Sequence, residues 1–376
     1  MKKKIYWWLL QLDKIGGTEM VSTSLASELC DQFDITIISS AKVINPCYKI
    51  DPRIKVISLN IPNEIMTIDQ SLHYFSQQKS YKKWICTVFG AIKWMIFKRH
   101  KIRKNIGNMI VKDDATLICS AIDSYWLAPK KGRVFFHFHF NKNVYFSFSN
   151  RLVMALTRKP DKLIFLSKGT SDEVIKKYPK LKSKITYVHN ALRFTSDYQP
   201  TYNGNKILFL GRFSPEKNPM FALKVAKALK EDHFDFHLTL SGHGALQKPM
   251  EEYIKSNNLK DVITITGIIN VQTTLPKYDL VILPSLHEGF GLTIIEANAC
   301  SVPVISSNWG DAINEVMNDN INGYVINQFD EHLYANKIKD VLKDKNTLIA
   351  LKKSSYEHSK NFTIDKIIPS WIDILK

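Results

Sequence analysis

Apolar residues in this chain come in short runs, each closed by glycine, proline or a polar cluster. Ile5 to Leu10 is the first run and reads as a buried strand. Asp13 to Glu19 follows as a glycine loop, and Met20 to Cys30 carries apolar positions at helical spacing. Ile35 to Ser39 is the next strand, so the chain opens as a βαβ unit with glycines at its first turn. Leu117 to Cys119, Val134 to Phe138 and Leu163 to Leu166 read as later strands of the same half. A polar, turn-rich stretch from Thr195 to Asn205 interrupts the pattern. A second alternation then begins, with strands at Lys206–Leu210, His237–Leu240, Ile263–Thr266, Leu280–Leu283, Val302–Ser306 and Gly323–Ile326. Helices are predicted over Asn218–Lys230, Leu292–Ala299 and Ile364–Leu375. This order predicts an α/β protein of two Rossmann-like domains, over residues 1–195 and 196–355. Residues 356–376 form a C-terminal helix expected to cross back to the first domain.

Length and composition agree with two domains. The chain has 376 residues, too many for one ordinary core, and 45% apolar content excludes disorder. No apolar run is long enough to span a bilayer. Met1-Lys2-Lys3-Lys4 before Ile5 imitates a signal peptide, but Gln11, Asp13 and Lys14 soon interrupt the apolar stretch and no small-residue cleavage site follows. The five cysteines are scattered without metal-ligand spacing, which suits a reducing cytoplasm. Charge is divided unevenly. Residues 1–200 hold 33 Lys+Arg against 15 Asp+Glu, while residues 201–376 hold 19 against 20. The N-terminal half therefore carries the positive excess and calls for an anionic partner.

The chemistry concentrates where strands end. Gly16-Gly17, Gly211, Gly242, Gly244, Gly267, Gly289 and Gly291 each follow an apolar run. Ligands of open α/β sheets bind beyond the carboxyl ends of the strands. At Pro284-Ser285-Leu286-His287-Glu288-Gly289-Phe290-Gly291-Leu292-Thr293, a strand turns into a helix through two glycines. Backbone N–H groups at such a helix start attract an anion. Glu288 and Glu296 flank that turn, and a carboxylate beside a phosphate makes sense when it binds sugar hydroxyls. A ligand with phosphates in its middle and sugars at both ends, a nucleotide sugar, fits this pattern. Arg212 and Lys217 follow Gly211 and supply a planar fork and a mobile charge for phosphate oxygens.

Gly211-Arg212-Phe213-Ser214-Pro215-Glu216-Lys217 together with Glu288-Gly289-Phe290-Gly291 and Glu296 resembles the retaining glycosyltransferases of family 4. Their GT-B fold has two Rossmann-like domains facing across a central cleft. The resemblance runs from Gly16-Gly17-Thr18-Glu19 to the region after Gly323. It implies that Arg212 and Lys217 hold the donor pyrophosphate and that Glu288 binds donor-sugar hydroxyls near the reacting carbon. Gly289, Phe290, Gly291, Leu292 and Thr293 would meet the phosphates through backbone N–H groups, and Glu296 would hold the ribose. Gly16 and Gly17 would line the phosphate or acceptor side. Gly242-His243-Gly244 stands where the family usually shows Gly-Asp-Gly, so His243 is a departure. The family also implies retention by front-side displacement, without metal or other cofactor. The absence of any Asp-x-Asp signature agrees with that. A phosphorylase or an epimerase on the same fold is the alternative enzyme.

His137 and His139 alternate along one strand and share a face. Similar proteins place a histidine near the donor sugar; His139, nearer the strand end, is the first choice and His137 the second. From Ser80 to Asn105, tryptophans and aliphatic residues interleave with Lys82, Lys83, Lys93, Lys98, Arg99, Lys101, Arg103 and Lys104. This reads as an interfacial helix on an anionic membrane surface. The expected acceptor is a lipid-linked anionic saccharide, such as a polyprenyl-diphosphate oligosaccharide of O-antigen, lipopolysaccharide or capsule synthesis. The expected place is the inner face of a bacterial cell membrane. A nucleic-acid binder would also explain the basic half, but no recognition motif is visible and the C-terminal motifs would stay unexplained.

Overall fold

The computed structural model describes residues 2–13, 16–61, 100–120, 122–139, 160–198, 201–310 and 312–376. Its first strand, β1 (Lys3–Leu9), is buried at five consecutive positions, because helices or loops cover both faces of a parallel sheet. Such a run tolerates two tryptophans only if each indole N–H finds an acceptor. Trp7 donates to Ser120 Oγ at 2.9 Å and Trp8 donates to Ser40 Oγ at 2.8 Å. Both rings are fully buried.

β1 belongs to a seven-stranded parallel sheet. The others are β2 (Phe33–Ser39), β3 (Lys55–Ser58), β4 (Thr116–Cys119), β5 (Arg133–His137), β6 (Lys162–Phe165) and β7 (Ile185–Tyr187), in the order β3-β2-β1-β4-β5-β6-β7. Helix α1 (Gly17–Leu29) connects β1 to β2 and buries Val21, Leu25, Ala26 and Leu29. Its start corrects the expected loop: Gly17, Thr18 and Glu19 already form the first helical turn. Residues 100–112 are also helical. Most of the expected interfacial segment lies at 62–99, outside the described residues.

The second sheet is six-stranded and parallel, with order β10-β9-β8-β11-β12-β13. Its strands are β8 (Lys206–Leu210), β9 (His237–Ser241), β10 (Ile263–Thr266), β11 (Leu280–Leu283), β12 (Val304–Ser307) and β13 (Gly323–Ile326). Helix α2 (Lys168–Lys177) precedes them in the chain. Helix α3 (Pro219–Glu231) follows β8, and α4 (Leu292–Ala299) follows β11. One core cluster packs Phe209, Phe221, Leu238 and Tyr334; another packs Val281, Phe290, Ile294 and Trp309.

The chain divides into two compact units. The first comprises Met1–Phe165, Lys177–Tyr187 and Ser370–Lys376; the second comprises Leu166–Lys176 and Val188–Pro369. The last helix, α5 (Ile364–Leu375), thus ends inside the first unit, where Trp371 packs on Trp7 with ring centroids 5.2 Å apart. Lys3 Nζ donates to Leu375 O at 2.9 Å and holds the same segment.

Candidate active site

In the second unit, β9, β8 and β11 are neighbours, so the loops leaving their carboxyl ends lie side by side. Gly211 leaves β8, Gly242 leaves β9, and residues 284–291 leave β11. Gly242 has φ +148°, and a side chain there would strike the Gly211 carbonyl, so two loop backbones touch. His243 is exposed and its carbonyl accepts from Phe213 N at 2.8 Å. Gly267 is exposed with open space around it; its carbonyl accepts from Ser241 Oγ at 2.8 Å.

The turn before α4 is anchored from below. Phe290 is buried beside Phe362 and His189, so its ring serves the core and only its backbone faces the turn. Gly291 caps α4 at φ +85°, a conformation glycine adopts without penalty. No side chain caps this helix start, so its first N–H groups, on Leu292 and Thr293, remain for a ligand.

Lys217 and Glu288 meet directly. Lys217 Nζ donates to both Glu288 carboxylate oxygens at 2.6 Å, and Ser285 Oγ donates to one of them at 2.7 Å. Leu286 N donates to Glu216 O at 2.8 Å and ties the same two loops. Arg212 is exposed and pairs loosely with Glu216 at 3.8 Å. Glu296 is buried on α4 and accepts from Arg193 Nε at 2.8 Å. Burial pushes its carboxyl upward, and the Arg193 guanidinium opposes that. The motifs do not reveal Arg193 or Ser285: Arg193 stands 103 residues before its partner, and no local pattern marks it.

In the first unit, Gly16 N donates to the Tyr48 hydroxyl at 2.7 Å. The buried Glu19 side chain folds back against Gly16, where a side chain of residue 16 would sit. Gly17 N begins α1. His137 is fully buried at the end of β5 and His139 is half-buried just beyond it. Their rings touch, with Nε2 of His139 3.0 Å from Nδ1 of His137. Burial lowers both imidazoles below the ordinary histidine range. Among the described residues, no group of three His, Cys, Asp or Glu is placed to hold a metal ion.

Arg103, in the basic segment, donates Nε to the Ala128 carbonyl at 3.0 Å and so has a structural role; Lys101 and Lys104 are exposed. No helix among the described residues is long and apolar enough to cross a membrane.

Residues 196–358 match the family described as "Glycosyl transferases group 1". The match lies within the second unit of the chain. A Campylobacter jejuni protein is 25% identical over 369 residues, 96% of this chain and 95% of its own length. Its name is GalNAc-alpha-(1->4)-GalNAc-alpha-(1->3)-diNAcBac-PP-undecaprenol alpha-1,4-N-acetyl-D-galactosaminyltransferase. An uncharacterized Haemophilus influenzae glycosyltransferase is 24% identical over 99% of this chain and all of its own. Among solved structures, S. aureus TarM with Fondaparinux, alpha-GlcNAc-glycerol and UDP matches all of both chains at TM-score 0.78 and 14% identity. The lipopolysaccharide outer core galactosyltransferase WaaB matches at TM-score 0.70 and 15% identity, over 98% of each chain. The fold of this chain is therefore GT-B.

Proposed function

We propose that this glycosyltransferase moves a sugar, with retention, from a nucleotide sugar to a saccharide carried on a polyprenyl diphosphate. A UDP-sugar is favoured, with a GDP-sugar as the other choice. The observation that carries the reading is the Lys217–Glu288 pair beside the uncapped start of α4. Lys217, Arg212 and the N–H groups of Leu292 and Thr293 supply positive charge for a leaving diphosphate, so the reaction needs no metal. Glu288, held by Ser285 and Lys217, offers an acceptor for hydroxyls of the transferred sugar. Glu296 offers the same to the ribose. The C. jejuni relative is named for an undecaprenyl-diphosphate acceptor and the TarM structure contains UDP, which supports both choices. Surface-glycan synthesis, of O-antigen, lipopolysaccharide or capsule type, at the inner face of the membrane follows from such an acceptor. The basic aromatic segment 80–105 would make the membrane contact.

The test incubates the protein with UDP-, GDP- and ADP-sugars and bacterial lipid extract, with and without EDTA. Transfer from one donor, unchanged by EDTA, with the anomeric coupling of the donor kept in the product, is the expected result. No transfer from any donor refutes the function; an inverted product refutes retention; loss with EDTA refutes metal independence. Replacing Lys98, Arg99, Lys101, Arg103 and Lys104 by glutamine should release the protein from anionic liposomes, and unchanged co-sedimentation would sink the membrane contact.

A further inference from the structure

Register places the second ionisable cluster. Cys119 pairs with Phe136 across β4 and β5, so the next residues, Ser120 and His137, stand side by side at the carboxyl ends. A polar chain results, all of it within the first unit. Trp7 Nε1 lies 2.9 Å from Ser120 Oγ, Ser120 Oγ lies 3.3 Å from His137 Nδ1, and His137 Nδ1 lies 3.0 Å from His139 Nε2.

We propose that Ser120 and His137 are positioning residues that hold His139 as its Nε2–H tautomer, leaving Nδ1 as a fixed acceptor for a saccharide hydroxyl.

The hydrogens can be placed in order. An indole N–H only donates, so Ser120 Oγ accepts from Trp7 and keeps its own hydrogen to give. Among the described residues, the acceptor within its reach is His137 Nδ1. A bare Nδ1 has one in-plane lone pair, which the His139 Nε2–H at 3.0 Å and the Ser120 O–H at the longer 3.3 Å share as a three-centre contact. A protonated Nδ1 would strand the serine hydrogen. The other nitrogen of His137 agrees. Nε2 is buried with no hydrogen-bond partner among the described residues. The ring packs against Trp371 at 4.9 Å and 81°, and against Trp7 at 6.3 Å and 64°. An N–H is tolerated among aromatic faces, whereas a bare lone pair is repelled by them. So His137 carries its proton on Nε2, and His139 must be the donor in the contact between the two rings.

Neither ring gains a charge to upset this order. Among the described residues, the one ionisable group acting on His137 is His139, and none acts on His139 beside desolvation. No carboxylate is among them to stabilise an imidazolium. His139 is thus a neutral acceptor, and it binds a hydroxyl by that hydroxyl's hydrogen.

The hydroxyl ligand rests on the glycosyl-transfer reading; the tautomer does not. The experiment labels histidine with 15N in the full-length protein and records two-bond 1H–15N correlations from about pH 5.5 to about pH 8. His137→Asn and His139→Gln assign the signals. His139 is expected to be neutral, with Nε2 protonated and Nδ1 bare across this range. His137→Phe removes the acceptor and should give a tautomer mixture at His139, still neutral because burial and not His137 lowers it. His137→Asn puts an amide at the Nδ1 position and should restore the single tautomer. Turnover should follow, falling on the order of tenfold in His137→Phe with nucleotide affinity unchanged, and returning in His137→Asn. A wild-type spectrum with Nδ1–H on His139 overturns the proposal whether or not the variants fold, and so does an unchanged tautomer in folded His137→Phe. The expected spectrum in a protein that transfers no sugar refutes the glycosyl-transfer reading alone.

Discussion

Glu288→Gln tests the pairing in the second unit most sharply. The substitution keeps shape and removes charge from a group that accepts two contacts of 2.6 Å from Lys217. At that separation and an effective dielectric of about 20, the attraction is about 6 kcal/mol. Lys217 keeps 23% of its side chain exposed, so solvent screening reduces it. Roughly 1.5–3 kcal/mol remains, the range of a charge-assisted hydrogen bond. A urea-denaturation cycle of Glu288→Gln, Lys217→Met and the double variant should return a coupling of that size. Binding should move the other way. The freed ammonium becomes available to a diphosphate, and about 1 kcal/mol recovered there tightens binding about fivefold. Titration calorimetry with UDP, GDP and ADP reads this directly. Turnover should nevertheless fall by about a hundredfold, because the carboxylate acceptor for the sugar is gone. A Glu288→Gln protein that binds every nucleotide tenfold more weakly would refute the reasoning, since Glu288 would then serve the nucleotide and not oppose it.

Glu296→Ala leaves Arg193 without its carboxylate and should weaken nucleotide binding by about tenfold with little change in kcat; calorimetry and steady-state kinetics separate the two. Gly291→Ala forces a side chain to φ +85° against Ile294 and Trp309, so unfolding stability should drop by about 1–2 kcal/mol in a urea titration. Lys352→Met breaks a fully buried pair with Asp279 at 3.1 Å, and the stranded carboxylate should cost about 3 kcal/mol in the same assay. His137 has a folded pKa below its unfolded value, so its contribution is complete above about pH 6.5 and shrinks as the pH falls through that value, by up to about 1.4 kcal/mol per pH unit. Wild type should therefore lose more stability than His137→Phe between about pH 7.5 and about pH 5.5, and equal losses would contradict the burial argument.

The parallel sheets are legible because their strands are nearly continuous apolar runs that glycines punctuate. Ile263–Thr266, Leu280–Leu283 and Leu292–Ala299 are readable to the residue. Lys55–Ser58 and Ile185–Tyr187 are not, since both are short edge strands whose side chains are only partly buried. The start of α1 hides for another reason. Two glycines resemble a loop until the backbone shows Gly17 inside the first turn. Lys217 and Glu288 carry visible chemistry, yet their bond to each other is a tertiary fact. Arg193 and Ser120 are ordinary residues in the sequence. They gain meaning from Glu296 and His137, which only the folded chain brings to them.

The packing of Trp371 on Trp7 has a consequence for synthesis. The first unit begins to leave the ribosome first, but its core takes in Ser370–Lys376 only after the whole second unit has been made. Until then one face of Trp7 and the buried side of His137 lack their indole neighbour. Contacts between residues so far apart in sequence form late and slowly. A nascent chain therefore carries an unfinished N-terminal unit throughout most of its translation, and the second unit is free to fold before the first is complete.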